Sequence, residues 1–398
     1  MNRRDFLTAS AAAAALPMAS FRPPGPPRSA LSFDPWLEVS ADAIHANVSE
    51  IARRAGSRPV LAVVKNNAYG LGLETVGPLL DRLEAVAGLA VVKVDEARRL
   101  RRAGGRKPVL FMGRFDPDEG VELATRDVQL APFGDDAPDL LADVARRAGR
   151  PIGVHLYLDT GMSRLGVPHH RALPWMERVA GISGVRIEGT FMTFTEDDAF
   201  DDEQLARFTG LTGEARARRI PMGRLHAASS HALFLRPAAH LDMVRPGLAL
   251  YGAYPSEVPE SARTGLRPAV ALKARVVRVE QLRTGDSVSY GRNYVAQAPT
   301  WIATIPVGHS DGYPRSAVKG CQVLIGRRLY PVIGAVSASH TIVEVGPEAT
   351  VQVGDLVTLV GADDPAIAPN AVAELAGVSV YDVLMHLSAE LPKVVVPP

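Results

Sequence analysis

From Ala41 to about Gly252 the chain alternates short apolar runs with longer stretches of helical periodicity, and that alternation limits the folds open to it more than any other feature. Runs at 60–64, 88–92, 108–112, 128–131, 153–158, 185–191, 224–228 and 248–251 read as strands. Between them, segments such as 94–103 and 201–219 place apolar residues at helical spacing opposite charged faces. Eight strands alternating with helices predict a (β/α)8 TIM barrel. A doubly wound open sheet is the alternative, but no G-x-G-x-x-G supports it. After Leu266 the texture changes. Runs at 270–279, 287–290, 301–307, 322–325, 329–333, 341–345 and 355–360 are separated by Gly, Pro and Asp turns, which predicts a mostly-β domain, and helix starts at 371–377 and 378–387 follow. The expected organisation is 1–33 signal and linker, 34–265 barrel, and 266–398 β domain.

A chain of 398 residues that is 47% hydrophobic can bury cores for both domains. Its 44 Lys and Arg against 43 Asp and Glu leave no basic surplus, which argues against nucleic acid or an anionic membrane surface as a partner. At the N-terminus, Arg3 and Arg4 precede an Ala-rich apolar segment that runs to about Met18. This resembles a Tat-type export signal, too short to span a bilayer, with a four-proline linker at 21–28 behind it. The expected location is the periplasm, or the cytoplasm if the signal does not function. Cys321 is the single cysteine, so an intramolecular disulfide and a cysteine metal site are both excluded; it reads as a small buried strand residue.

Several clusters carry chemistry. Val63-Val64-Lys65-Asn66-Asn67-Ala68-Tyr69-Gly70 puts a lysine at the end of an apolar run and follows it with a Gly-containing turn. An ammonium is costly to desolvate, so burial there lowers its pKa and frees the amine to attack an aldehyde. A solvated, inert lysine is the plainer alternative. The turn at 155–166 carries Arg164, suited to a bidentate grip on a carboxylate, or else an ordinary surface arginine. His226 to Ser230 and Val244 to Gly252 fall at the seventh and eighth strands, where barrel loops commonly bind phosphate. Ser230 and Gly247 fit that chemistry, although alone they would read as a helix N-cap and a turn glycine. In the β domain, Tyr290 lies between Ser289 and Gly291, and His309 and Asp311 share one polar stretch. Two such residues do not make a metal site, and no metal is expected.

Taken in order, V-V-K-x-N-A-Y-G, D-T-G-M-x-R-L-G, R-P-G-x-A-L-Y-G, S-Y-G and G-x-x-D-G-Y-x-R make the chain resemble the alanine racemase family of fold-type III pyridoxal-phosphate enzymes, from about Leu37 to Pro392. The resemblance implies pyridoxal 5'-phosphate as cofactor, joined to Lys65, which also serves as base on one face of the substrate. It implies that Tyr290 acts on the opposite face, from the partner subunit of a head-to-tail homodimer. Tyr69, Ser230, Gly247 and Tyr381 match phosphate-binding positions, and His226 falls among the cofactor-binding residues. Arg164 matches the arginine near the cofactor phenolate and the substrate carboxylate. Arg245 matches the arginine facing the pyridine nitrogen. A guanidinium keeps its proton, so it would donate to an unprotonated ring nitrogen and leave a weaker electron sink, which favours racemisation over competing reactions.

The sequence also departs from that pattern. Tyr157 stands where the family usually has a lysine, Thr193 where it has a histidine that contacts the catalytic tyrosine, and His309 where it has a tyrosine lining substrate access. Ala338-Ser339 replace Met-Asp at the turn that meets the substrate carboxylate, so Ala338 and His309 are the expected substrate-binding positions beside Arg164. Three functions follow: a racemase of alanine, a periplasmic racemase of broader specificity, and a cofactor-binding homologue with weak or no racemase activity. Retention of Lys65 and Tyr290 speaks against the third.

Overall fold

The computed structural model describes residues 32–396, so the export signal and the linker at 21–28 lie outside the described residues. Seven strands stand side by side in chain order and parallel: Val60–Val63, Val86–Val91, Val109–Phe111, Val128–Leu130, Ile152–Asp159, Val185–Phe191 and Arg224–His226. Helices cover the outer face, which is why Val60–Val63 can be apolar and buried at every position. The eighth place is filled by 244–246. Leu61 and Val63 donate their N–H groups to the carbonyls of Val244 and Pro246 (both 2.9 Å), and Arg245 donates to Ala228 O (2.8 Å), so the ring closes. Pro246 has no N–H to extend the ladder, and the chain leaves it there.

The apolar run at 248–251 is therefore not the eighth strand. Leu248–Tyr251 is a 3-10 turn, with Leu250 N–H donating to Gly247 O at 3.0 Å. A four-residue buried run looks the same in either state, and only the neighbouring proline and glycines decide it.

The second sheet has nine strands among the described residues, in the order Arg278–Leu282, Thr300–Ile305, Thr341–Gly346, Arg328–Ile333, Gln322–Ile325, Leu356–Val360, Val270–Arg275, Trp36–Ser40 and Lys393–Val396. The span 34–265 thus opens with a strand of the other sheet: Trp36–Ser40 runs antiparallel to Val270–Arg275 and parallel to Lys393–Val396. Ser40 then caps helix Ala41–Arg54 through the N–H of Ala43 and sends the chain into the barrel. Asn47 of that helix, fully buried, donates to the carbonyls of Leu250 and Arg267 and accepts from Arg267 N–H, tying the barrel exit to the start of the β domain. The run expected at 270–279 is two strands with different partners. The run at 287–290 stops at Val288, and Tyr290–Arg292 is a 3-10 turn that carries Tyr290 off the ladder. Cys321 is buried just before Gln322–Ile325, its thiol 3.7 Å from Val372 O.

Candidate active site

Strand Val60–Val63 delivers Lys65 to the C-terminal mouth of the barrel, where active sites of this architecture form. The next four residues, Asn66, Asn67, Ala68 and Tyr69, all have positive φ, between 53° and 57°. That is one left-handed turn. Asparagine tolerates the conformation, whereas Ala68 and Tyr69 each cost about 1–2 kcal/mol in it. Hydrogen bonds hold the turn: Ala68 N–H to Val64 O (2.9 Å), Gly72 N–H to Asn67 O (2.9 Å) and Asn67 N–H to Glu96 Oε1 (3.1 Å). Glu96 is buried and also accepts the N–H groups of Val92 and Lys93 at 3.2 Å. Sequence reading missed Glu96. Its one signal is an acid on the buried side of helix Val94–Arg102.

The left-handed turn presses Tyr69 onto Gly247. A Cβ on Gly247 would lie 2.1 Å from the Tyr69 hydroxyl, so only glycine fits. Tyr251 packs on Tyr69 at 4.8 Å between ring centroids, and Tyr381, from helix Val380–Met385 of the β domain, lies at 6.2 Å. Ser230 is buried, and its Oγ accepts the N–H groups of Gly247 (3.0 Å) and Ala249 (3.1 Å), which leaves its own hydrogen free to donate. The N-cap of helix Ser230–Leu235 is Ser229, whose side chain accepts from Ala232 N–H. Burial raises the hydroxyl pKa of both Tyr69 and Tyr381, so both remain neutral donors.

Burial lowers the pKa of Lys65 first of all, and the guanidiniums of Arg164 and Arg245 lower it further, while Glu96 and Glu196 oppose them. Arg164 itself is exposed, on a turn that Asp159 fastens by accepting from Gly161 and Ser163 N–H. Arg245 is buried beneath. Its NH2 group donates to Met192 O at 2.8 Å, its NH1 group donates to His226 Nδ1 at 2.9 Å, and its guanidinium lies 4.9 Å over the Phe191 ring. Its pKa is lowered by burial to about 10, so it stays charged at neutral pH.

That contact fixes protons deeper in the barrel. Because His226 Nδ1 accepts from Arg245, His226 carries its proton on Nε2 and donates to His155 Nδ1 at 2.9 Å. His155 in turn donates from Nε2 to Gln129 Oε1 at 3.0 Å. Protonating either imidazole would set N–H against N–H beside a cation. Burial, and then Arg245, accordingly depress both pKa values, that of His155 to about 3. Sequence reading placed His226 here but missed His155 and Gln129.

Two of the departures from the family pattern touch each other. The Tyr157 hydroxyl is 3.2 Å from Thr193 Oγ1, and the Tyr157 ring stacks on Phe191 at 4.2 Å, which stacks on His226 at 5.0 Å. They make one neutral layer above Arg245.

Tyr290, His309 and Ala338 belong to the β domain. Tyr290 is 81% exposed. The groups acting on the Lys65 amine, Arg164, Arg245, Glu96 and Glu196, all belong to the barrel. His309 and Ala338 are also exposed and share a ledge of the β domain, where His309 N–H donates to Ser337 O (2.9 Å) and Ser310 N–H to Ala338 O (3.0 Å). Ser289, next to Tyr290, reaches Ala335 O on the same ledge at 3.4 Å.

Residues 39–255 match the family described as alanine racemase, N-terminal domain, and residues 269–395 match alanine racemase, C-terminal domain. An alanine racemase of Desulforamulus reducens is 35% identical over 366 residues, covering 90% of this chain and 98% of the relative. Among solved structures, the alanine racemase from a D-cycloserine-producing Streptomyces lavendulae is similar at a TM-score of 0.85 and 27% identity, covering 92% of this chain and 98% of that one. The biosynthetic alanine racemase of Pseudomonas aeruginosa is similar at a TM-score of 0.82 and 30% identity, covering 92% of this chain and all 100% of that one.

Proposed function

Because the chain belongs to the alanine racemase family and is a pyridoxal 5'-phosphate-dependent racemase, we propose that Lys65 and Tyr290 carry the two proton transfers by which it interconverts L- and D-alanine. The observation that supports this reading best is Lys65 itself: an amine whose pKa burial depresses, at the head of a left-handed turn, with two guanidiniums acting on it. The residues present fit the cofactor. Ser230, Tyr69 and Tyr381 are neutral hydroxyl donors of the kind an anion requires, and Gly247, where a Cβ would clash with the Tyr69 hydroxyl at 2.1 Å, lets that hydroxyl approach the backbone. Buried Arg245 would face the ring nitrogen as an obligate donor. When bound, the cofactor would supply the electron sink that acidifies the α-carbon of an amino acid.

The chain's own residues then divide the work. Lys65 Nζ takes or returns the α-proton on one face, and the lowering of its pKa by burial favours the unprotonated amine that this role needs. Arg164 orients the substrate carboxylate. Tyr290 Oη holds the proton on the other face from a second copy of the chain, a reading supported by its 81% exposure on the β domain. A head-to-tail homodimer is therefore part of this proposal, as is export to the periplasm through the Arg3-Arg4 segment. A broader substrate range is the second reading. It is favoured by the small, exposed Ala338 at the position matched to the carboxylate turn and by exposed His309 at the position matched to substrate access.

One experiment tests the proposal. The purified protein is expected to show the absorption band of lysine-bound cofactor, lost in Lys65→Ala, and to exchange the α-proton of alanine in deuterated water from either enantiomer. Exchange with many amino acids would favour the broader enzyme. A Lys65→Ala protein with an unchanged band would overturn the assignment of Lys65.

A further inference from the structure

Tyr290 is carried on a hairpin that cannot hold its own shape. The two strands, Ser287–Val288 and Tyr294–Val295, are only two residues each, with Ser287 paired to Val295 and Val288 to Tyr294. A hairpin that short has little stability by itself. Its tip bends through Ser289 at φ +65°, Gly291 at +70° and Arg292 at +53°, which puts a serine and an arginine in the left-handed region. Whatever fixes the direction of the exposed Tyr290 ring must therefore lie beneath the hairpin.

Beneath it is a small hydrophobic cluster apart from the main core: Leu282, Val288, Ala296, Ile302 and Ile333, with Tyr294 and Ile342 packed against it. Strands Thr300–Ile305 and Thr341–Gly346 supply Ile302 and Ile342, and Ile302 stands opposite Glu344 in their pairing. Glu344 is half-buried there, and its Oε1 accepts two hydroxyls, that of Tyr294 at 2.7 Å and that of Thr300 at 3.2 Å. A hydroxyl held by a carboxylate is among the stronger side-chain contacts, and the shorter of these two fastens the strand after the tip to the large sheet. The strand before the tip is fastened by close approach. A Cβ on Gly334 would lie 2.8 Å from Ser289 Oγ and 3.0 Å from Val288 Cγ1. The chemistry described above leaves both Tyr294 and Glu344 unused.

The structure assigns Tyr294 and Glu344 as the positioning pair for Tyr290: their bond, four residues along the chain, sets where the strained tip holds the Tyr290 phenol. This rests on the reading that Tyr290 serves one face of the substrate and Lys65 the other. Breaking the bond loosens the tip and leaves the Lys65 side as it was.

The test compares the unsubstituted holoenzyme with Tyr294→Phe, which keeps the ring in the cluster and deletes the hydroxyl. Exchange of the α-proton in deuterated water is measured separately for L- and D-alanine. In Tyr294→Phe one enantiomer, the same one that Tyr290→Phe slows, is expected to exchange about tenfold more slowly through kcat with KM little changed, and the other within about twofold of the parent. The absorption band of lysine-bound cofactor should stay as it is. Segment 287–295 should exchange its amide hydrogens faster, with cofactor present or removed. Glu344→Gln keeps a carbonyl oxygen for the Tyr294 hydroxyl and should behave as the parent, whereas Glu344→Leu should reproduce the one-sided loss. Equal slowing of both enantiomers, slowing of neither, or amide exchange unchanged in Tyr294→Phe would overturn the role of the pair. Tyr290→Phe separates the two readings. If it slows both enantiomers alike or neither, the assignment of Tyr290 to one face fails, and the pair's role with it; if it slows one while Tyr294→Phe slows none, only the pair's role fails.

Discussion

Arg245 sets the protonation of His226, which it touches, and through it that of His155, which it does not. It holds His226 in one tautomer, His226 holds His155, and both imidazoles stay neutral because burial and the guanidinium oppose a second proton. The unfolded chain has no such constraint, so between pH 6.5 and about 3 it binds a proton at residue 155 that the folded chain does not. Stability from this group is full above the unfolded value and is lost as pH falls toward the folded one. His155→Gln keeps an acceptor for His226 and a donor for Gln129 while removing the titration. In urea unfolding across that window, the variant is expected to lose about 1.4 kcal/mol less stability per pH unit than the parent. An identical acid slope in the two proteins would show that His155 titrates normally in the fold.

At the scale of elements, helix Ser230–Leu235 is too short to hold itself in place and depends on Arg236, whose side chain reaches Asp198, Asp201 and Asp202 of helix Asp198–Ala217. Asp201 is fully buried and also anchors Thr195 and Glu196. Removing the arginine leaves that charge uncompensated, so Arg236→Ala is expected to cost about 3 kcal/mol and to speed hydrogen exchange at the Glu196 amide. Unchanged exchange there would mean that the ion pair does not hold Thr195 and Glu196. None of this is legible locally, since an arginine after a helix pairs with whichever acid the fold brings near. The apolar run at 60–64 is legible, because helices cover the outer face and leave no room for polar alternation, whereas 185–191 opens with Arg186 and Glu188 alternating with Val185 and Ile187 and is fully buried only from Gly189 onward. The run at 248–251 reads falsely as a strand, for Pro246 has already ended the ladder. Lys65 is readable from its position after an apolar run. Glu96 and Glu196, which act on its amine, are not, because their closeness to it arises only when the barrel closes.

For the whole molecule, the division between Lys65 in the barrel and Tyr290 on the β-domain ledge decides what a working site must be. The motif around Tyr290 was plain in the sequence, but its placement, 81% exposed and off the strand at Val288, was not, because the chain alone does not encode what faces it. If one copy supplies Lys65 and another Tyr290, each substitution disables a different half of every site. Lys65→Ala and Tyr290→Phe proteins, each inactive alone, should then regain activity when unfolded and refolded together. In a random mixture half of the dimers pair one of each variant, and each such dimer holds one site with both native groups and one with neither, so recovery should approach about a quarter of the parent's activity. The recovered activity should elute with a dimer and depend on protein concentration. A mixture as inactive as its components, while both variants still dimerise, would place Lys65 and Tyr290 in the same chain's site, and the ledge would have to move to reach it.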